Sequence, residues 1–312
     1  MLYDKPWLSL EEQASKLINR GLIANKDELV EKLRSVNYYR LTGYLYPYRN
    51  IASDNFKSAT TFDEIWCQYR FDRRLRILIL DSIERIEISI RTQLIYLFTE
   101  KHDSFGYIEK KNFPNLDDKQ FQKLKENIDF ETDRCRNLKS KTQEDFVLHF
   151  FNKYGDHHNT LPLWMLGEVI SFGTMHTFFK GVSDDIKKAI ASYYKIPDAV
   201  LISWVSCLHS IRNLCAHHAR LYNRTIGYKP YLPSNVTKYS QWHTPIKINN
   251  SRIFVIIMIC KYLMDIIIPK SQWKYRFESL IKEFSEINLY NYGFPNDWML
   301  SPIWNKNTVI KN

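Results

Sequence analysis

From Thr61 onward, more than thirty residues pass without a glycine or a proline. No other stretch limits the fold so tightly, because an uninterrupted run of that length suits a helix and little else. Thr61 and Glu64 supply the opening pair of a capping box. Leu75, Leu78, Ile79, Ile83, Ile86 and Ile90 then recur at three- and four-residue steps, the inward side of one long helix or of two joined by a slight kink. Arg70, Arg73, Arg74, Arg76, Arg85 and Arg91 fall between them.

The remaining segments repeat this pattern on a smaller scale. Ser9 with Glu12 opens a helix that Gly21 stops, and Asn25 with Glu28 opens another through Leu33. Residues 36–47 are dense in aromatics and broken by Gly43 and Pro47, which predicts a short helix or turn on the core. Residues 101–160 are polar and mixed in sign, and predict loops with one or two short helices. Leu163 to Phe172 predicts one helix stopping near Gly173 or Gly181; Asp184 to Tyr194 predicts the next. Asp198 is expected to cap a helix carrying Val200, Leu201, Trp204, Val205, Leu208 and Ile211 on one stripe. Ile253–Ile268 is apolar but contains Lys261 and Asp265 and is short for a membrane span, so a buried helix is expected. Ser271 to Phe284 forms the last helix. Alternation of strand type persists nowhere, and no repeat of solenoid period occurs. The fold class is all-α.

At the end of the stripe beginning at Val200 stands Ser210-Ile211-Arg212-Asn213-Leu214-Cys215-Ala216-His217-His218-Ala219-Arg220. Arginine and histidine are poor core residues unless paired, so their grouping here needs a reason. A surface pair or a hydrogen-bonded core pair is the plainer one. A guanidinium also suits a phosphate, and an imidazole moves protons near neutral pH. Together they meet the needs of phosphodiester cleavage without a metal. His217 lies about 140° around the helix from Arg212, whereas Asn213 and His217 share a face with His209 one turn earlier. Arg212 must therefore reach around the helix or meet a histidine from a second one. Two copies related by a two-fold axis would supply it.

The formal charge of +10 favours an acidic partner, nucleic acid being the commonest. Twenty tyrosines, eighteen phenylalanines and eight tryptophans offer core and, in part, surfaces on which unpaired bases stack. Five cysteines without a CxxC pair argue against a disulfide scaffold or zinc ribbon and fit a reducing cytoplasm. The first residues lack the plan of a secretion signal. His157-His158 has no Cys or acidic partner at metal-ligand spacing and is read as loop. No cofactor, metal or membrane is expected.

Taken in order, several blocks resemble the Abi-like (AbiD/AbiF type) abortive-infection proteins of bacteria. They are Lys5-Pro6-Trp7-Leu8-Ser9, Arg20-Gly21-Leu22, Asn37-Tyr38-Tyr39-Arg40-Leu41-Thr42-Gly43-Tyr44, Phe71-Asp72-Arg73-Arg74-Leu75-Arg76, Glu84-Arg85-Ile86-Glu87, Leu163-Trp164-Met165 with Glu168-Val169-Ile170-Ser171-Phe172-Gly173, and Arg212 through Arg224. That family is similar to the HEPN superfamily, helical bundles whose active members carry Arg, a polar residue and, four to six positions after the Arg, His. Arg212, Asn213 and His217 fit the pattern, and His218 fits it with one more residue between. The resemblance implies a HEPN-like helical core over 61–270 with an insertion near 101–160, an N-terminal helical extension over 1–60, and a C-terminal helix and tail over 271–312. It implies a metal-independent RNA endonuclease, dimeric, serving phage defence and in some members restrained by a small RNA.

On this basis Arg212 would bind charge on the phosphate, Asn213 would orient the histidine or bond the phosphate, and His217 would move the proton. His218 is the alternative carrier. Glu168 would orient His217 or neutralise an arginine, with structural pairing the plainer role. Arg220 and Arg224 are candidates for RNA phosphate or for acidic side chains. Arg73 and Arg74 are candidates for RNA, against the plainer reading of a solvated helix face. A non-catalytic RNA-binding module and a helical protein–protein adaptor are the competing functions.

Overall fold

The computed structural model describes residue 2, residues 4–137 and residues 143–305. Among the described residues there are thirteen α-helices and no strand beyond two isolated β-bridges. The helices are α1 (Leu10–Asn19), α2 (Lys26–Ser35), α3 (Tyr38–Leu45), α4 (Phe62–His102), α5 (Asp118–Arg136), α6 (Asp145–Tyr154) and α7 (Leu163–Val169), then α8 (Phe172–Gly181), α9 (Asp184–Tyr193), α10 (Asp198–Ala216), α11 (Ile253–Ile267), α12 (Trp273–Glu283) and α13 (Pro302–Asn305).

The run beginning at Thr61 forms one continuous helix of 41 residues, capped where Thr61 Oγ1 accepts from the Glu64 N–H at 3.3 Å. Its expected inward side is the buried one: Leu75, Ile79, Ile83, Ile86 and Ile90 have no exposed surface. Each such isoleucine contributes up to roughly 1.5–3 kcal/mol of apolar burial. α4 is the axle of the fold, touching α3, α7, α9, α10, α11 and α12. α11 is buried at every position from Ile253 to Met264, as an all-round apolar helix must be. Its Lys261 reaches Asp265 at 2.5 Å, which pairs the buried ammonium. Residues of α1, α2 and α3 (Leu17, Leu29, Leu41) belong to the same hydrophobic cluster as Trp273 and Trp304 near the other end.

Three expectations are corrected. The segment from Leu163 to Phe172 is two helices, α7 and α8, because Ile170 is extended and Ser171 starts a new one by accepting from the Thr174 N–H at 3.2 Å. Asp198 is the first residue of α10 rather than its cap; Pro197 holds the cap position without a side-chain bond. The mixed-sign stretch 101–160 contains a 19-residue helix, α5, with a capping box at Asp117 and Gln120. Phe121, Leu124 and Ile128 give α5 a buried stripe, which the high charge around them hid.

α10 is long and apolar enough to cross a membrane by length and composition alone, and 56% of that window is buried inside the fold. It packs against α4, α8 and α9. Val200, Leu201, Trp204, Val205, Leu208 and Ile211, the expected stripe, are buried.

Candidate active site

α10 buries most of its surface but keeps one narrower face half-open. The half-buried Ile202, His209 and Asn213 lie along it at steps of seven and four residues, with the buried Ser206 between Ile202 and His209, and α8 borders it with His176. The polar groups on this face form two short chains. Ser206 Oγ donates to the Ile202 carbonyl at 2.9 Å, so its lone pairs receive the Nε2–H of His176 at 2.8 Å. Arg212 can only donate, so the oxygen of the Asn213 amide must be the atom that faces it, at 3.4 Å. The Asn213 nitrogen then donates to His209 Nε2 at 3.3 Å, which requires His209 to be neutral with its proton on Nδ1. Burial and the nearby Arg212 both hold the His209 imidazole below its ordinary value. Burial, with His209 and Lys180 beside it, takes His176 down to about 4. The two rings lie 5.4 Å apart, and the edge of Phe172 closes against His209.

Arg212 itself is exposed, one residue before the last turn of α10. Its charge is felt by Glu87 on α4, whose carboxyl is raised by burial and held back by Arg91 and Arg212. Arg91 bonds Glu87 at 2.5 Å and also donates to the Gly167 carbonyl. Glu87 is paired with Arg91 and is near enough for the charge of Arg212 to act on it.

The helix ends in a Schellman motif, with His217 at the cap. The His218 N–H donates to the Cys215 carbonyl at 3.0 Å and the Ala219 N–H to the Leu214 carbonyl at 2.8 Å. His218 takes the left-handed position, φ 59°, where glycine is usual. Both imidazoles therefore stand outside the helix and are exposed. Among the described residues no hydrogen bond joins the side chains of Arg212 and His217. Asn213 reaches His209, not His217; only its carbonyl meets His217, through the backbone N–H at 2.9 Å.

The backbone just beyond the histidines is held from several sides. Arg40 of α3 donates to the His218 carbonyl at 2.6 Å, and Arg76 of α4 to the Ala219 carbonyl at 3.4 Å. The fully buried Asp72 accepts from the backbone N–H groups of Leu221 at 3.2 Å and Tyr222 at 2.8 Å. It also accepts from Tyr44 at 2.7 Å, Tyr292 at 3.2 Å and Arg76 at 2.5 Å. An acceptor ringed by that many donors locks the turn to α3, α4 and the tail at once.

The other sequence candidates divide. Glu168 is the clear correction: α7 buries Leu163, Leu166, Gly167 and Val169 and turns Glu168 out to solvent. It lines an apolar groove with Ile95, Tyr96 and Trp164, and among the described residues it neutralises no arginine. Arg220 runs its side chain past Gly43, its Cδ 4.0 Å from where a Cβ on that glycine would stand, with Nη1 buried and unpartnered among the described residues. Arg224 is turned back onto the Arg220 carbonyl at 2.6 Å. Arg74 pairs with Glu283 and lies over Phe284, while Arg73 is exposed beside it. The residues that sequence reasoning passed over are Glu87, Asp72, Arg76 and Tyr44. Asp72 and Arg76 did leave a signal: opposite charges four apart on the apolar stripe of Ile79 and Ile83.

Comparison with curated proteins and with solved structures finds no match. A family model described as Abi-like protein matches residues 31–223, which takes in α3, the Asp72 hub, the Glu87–Arg91 pair and all of α10 with its terminal histidines. The chain belongs to the Abi-like protein family.

Proposed function

We propose that this protein is a metal-independent RNA endonuclease of the HEPN type, acting as a homodimer. Membership of the Abi-like family points to abortive infection, the defence of bacteria against phage. The observation that carries the finer reading is the open end of α10, where Arg212 and both terminal histidines face solvent although the helix buries its stripe from Val200 to Ile211 in the core. RNA brings its own nucleophile, the 2′-OH. His217, or His218 in its place, takes the proton from that hydroxyl as its oxygen attacks phosphorus. The 5′-oxygen leaves and gains a proton, yielding a 2′,3′-cyclic phosphate and a 5′-hydroxyl. Acid–base help of this kind is typically worth about 10²–10⁴-fold. Arg212 meets the charge growing on the non-bridging oxygens, and Asn213 holds Arg212 on one side and His209 on the other.

Because Arg212 and His217 diverge around one helix, a second copy placed on a two-fold axis supplies the missing partner to each. A small regulatory RNA is the proposed restraint on the resting protein. The test is cleavage of total RNA with analysis of the product ends. Arg212→Ala and His217→Ala should fold normally and lose cleavage, and EDTA should change little. Undiminished cutting by both variants would remove the assignment. RNA binding without any cyclic-phosphate product from the unsubstituted protein would leave a non-catalytic RNA-binding module in its place.

A further inference from the structure

A groove of about 430 Å³ opens between the segment before α1, α1 itself, α3 and the loop after α3. Its wall carries four basic side chains, Lys5, Lys16, Arg20 and Arg49, against one acidic one, Asp54. Asp54 is spent on the two arginines: its side chain pairs with Arg20 at 3.0 Å and with Arg49. Arg20 is further pinned to the Asp54 carbonyl at 2.9 Å through Nε and stacked 4.9 Å above Phe56. These arginines are thus pre-set, while Lys5 and Lys16 are exposed and have no ion pair among the described residues. On the same wall stand Trp7, 85% exposed, and Tyr39, 71% exposed, with Tyr38 between them and the core. Both rings are open to solvent beside the cations of the same wall, and an open ring face is a surface on which a base can stack.

Cations along a groove with bare aromatic faces between them are what a single strand of nucleic acid requires: phosphates meet the cations and unpaired bases stack. We infer that this N-terminal groove binds single-stranded nucleic acid, as a site separate from the open end of α10. The groove residues alone support this, whether or not the protein cleaves anything. Tyr38, Thr42 and Leu45 turn one side of α3 to the groove, while Arg40 and Gly43 on the opposite side meet the His218 carbonyl and the Arg220 chain. One short helix therefore separates the bound strand from the histidine turn.

The experiment uses the full chain and fluorescein-labelled oligouridylate of about a dozen nucleotides, made with 2′-O-methyl riboses so that it lacks the nucleophile. A DNA oligothymidylate is the second arm. Anisotropy titrations should show Trp7→Ala and Tyr39→Ala binding roughly 5- to 100-fold more weakly, with Trp7→Phe close to the unsubstituted protein. Lys16→Gln should lower the slope of log Kd against log salt by about 0.7. Tighter binding of the ribose strand would identify RNA as the ligand, and equal binding would identify a site blind to the sugar; both support the groove. Unchanged affinity in all three weakened variants overturns it. So does loss of self-association by Trp7→Ala in sedimentation with nucleic-acid binding intact, because the groove would then be a protein interface. Cleavage of unmodified RNA by Trp7→Ala reports on the α10 site alone, so failure of either proposal is visible separately.

Discussion

His218 holds φ at 59° without being glycine, a conformation that costs an L-residue about 1–2 kcal/mol. His218→Gly removes that cost but adds chain entropy to the unfolded state. The expected result is a gain of up to about 1 kcal/mol in urea unfolding. The same variant separates the two candidate proton carriers: retained cleavage assigns the role to His217, and lost cleavage with normal folding assigns it to His218. His176 gives a pH dependence. An unfolded chain takes up a proton on this residue near its ordinary value of 6.5, whereas the folded chain resists until about 4. Its contribution is therefore whole above about pH 6.5 and is lost as pH falls toward 4, by at most about 3 kcal/mol. Urea melts of His176→Gln, which can keep the bond to Ser206, should show a correspondingly shallower decline over that window. An identical decline in both proteins would mean that His176 does not drive it. At this scale the sequence was informative about which residues stand near the end of α10, and silent on tautomer and partner. Asn213 could be seen to share a face with both His209 and His217; only the fold shows its amide turned to His209.

Among the elements, α4 was legible from its first turn to Ile90, because a 3.6-residue repeat and an unbroken run leave one long helix or two with a kink, and the fold shows one that runs on to His102. α7 and α8 were read as one helix, since an apolar stretch hides a break made by a single extended residue, Ile170. The length of α5 was missed, short helices being expected in that stretch, because its charges outnumber the three apolar residues of its stripe. The junction of α4 with the turn after α10 was missed for a related reason. Periodicity counts apolar positions, and Asp72 and Arg76 occupy two of them. Asp72→Asn keeps the shape but leaves the Arg76 guanidinium without its counter-charge in the interior. We expect a loss of about 3–5 kcal/mol, read by urea unfolding, while the exposed neighbour Arg73→Gln stays within about 0.5 kcal/mol. A wild-type midpoint for Asp72→Asn would mean that the hub does not hold the turn.

For the whole molecule, the decisive question is whether one chain suffices. If Arg212 and His217 act across a two-fold interface, mixing the inactive Arg212→Ala and His217→Ala proteins should restore part of the cleavage, because a mixed pair retains one intact combination. If both residues act from the same chain, the mixture stays silent at every ratio. The all-α class and the family were legible in the sequence because both depend on local order along the chain. Glu87 within reach of the charge of Arg212 was not, nor was the groove that gathers Lys5, Lys16, Trp7, Tyr39 and Arg49, because such groupings arise only when distant segments pack. Asp72 draws its donors from positions 44, 76, 221, 222 and 292, and Gln68 grips the same Tyr292 hydroxyl at 2.6 Å. A ribosome reaches residue 292 long after it has passed the histidines. Until then the nascent polypeptide holds its histidine turn one donor short.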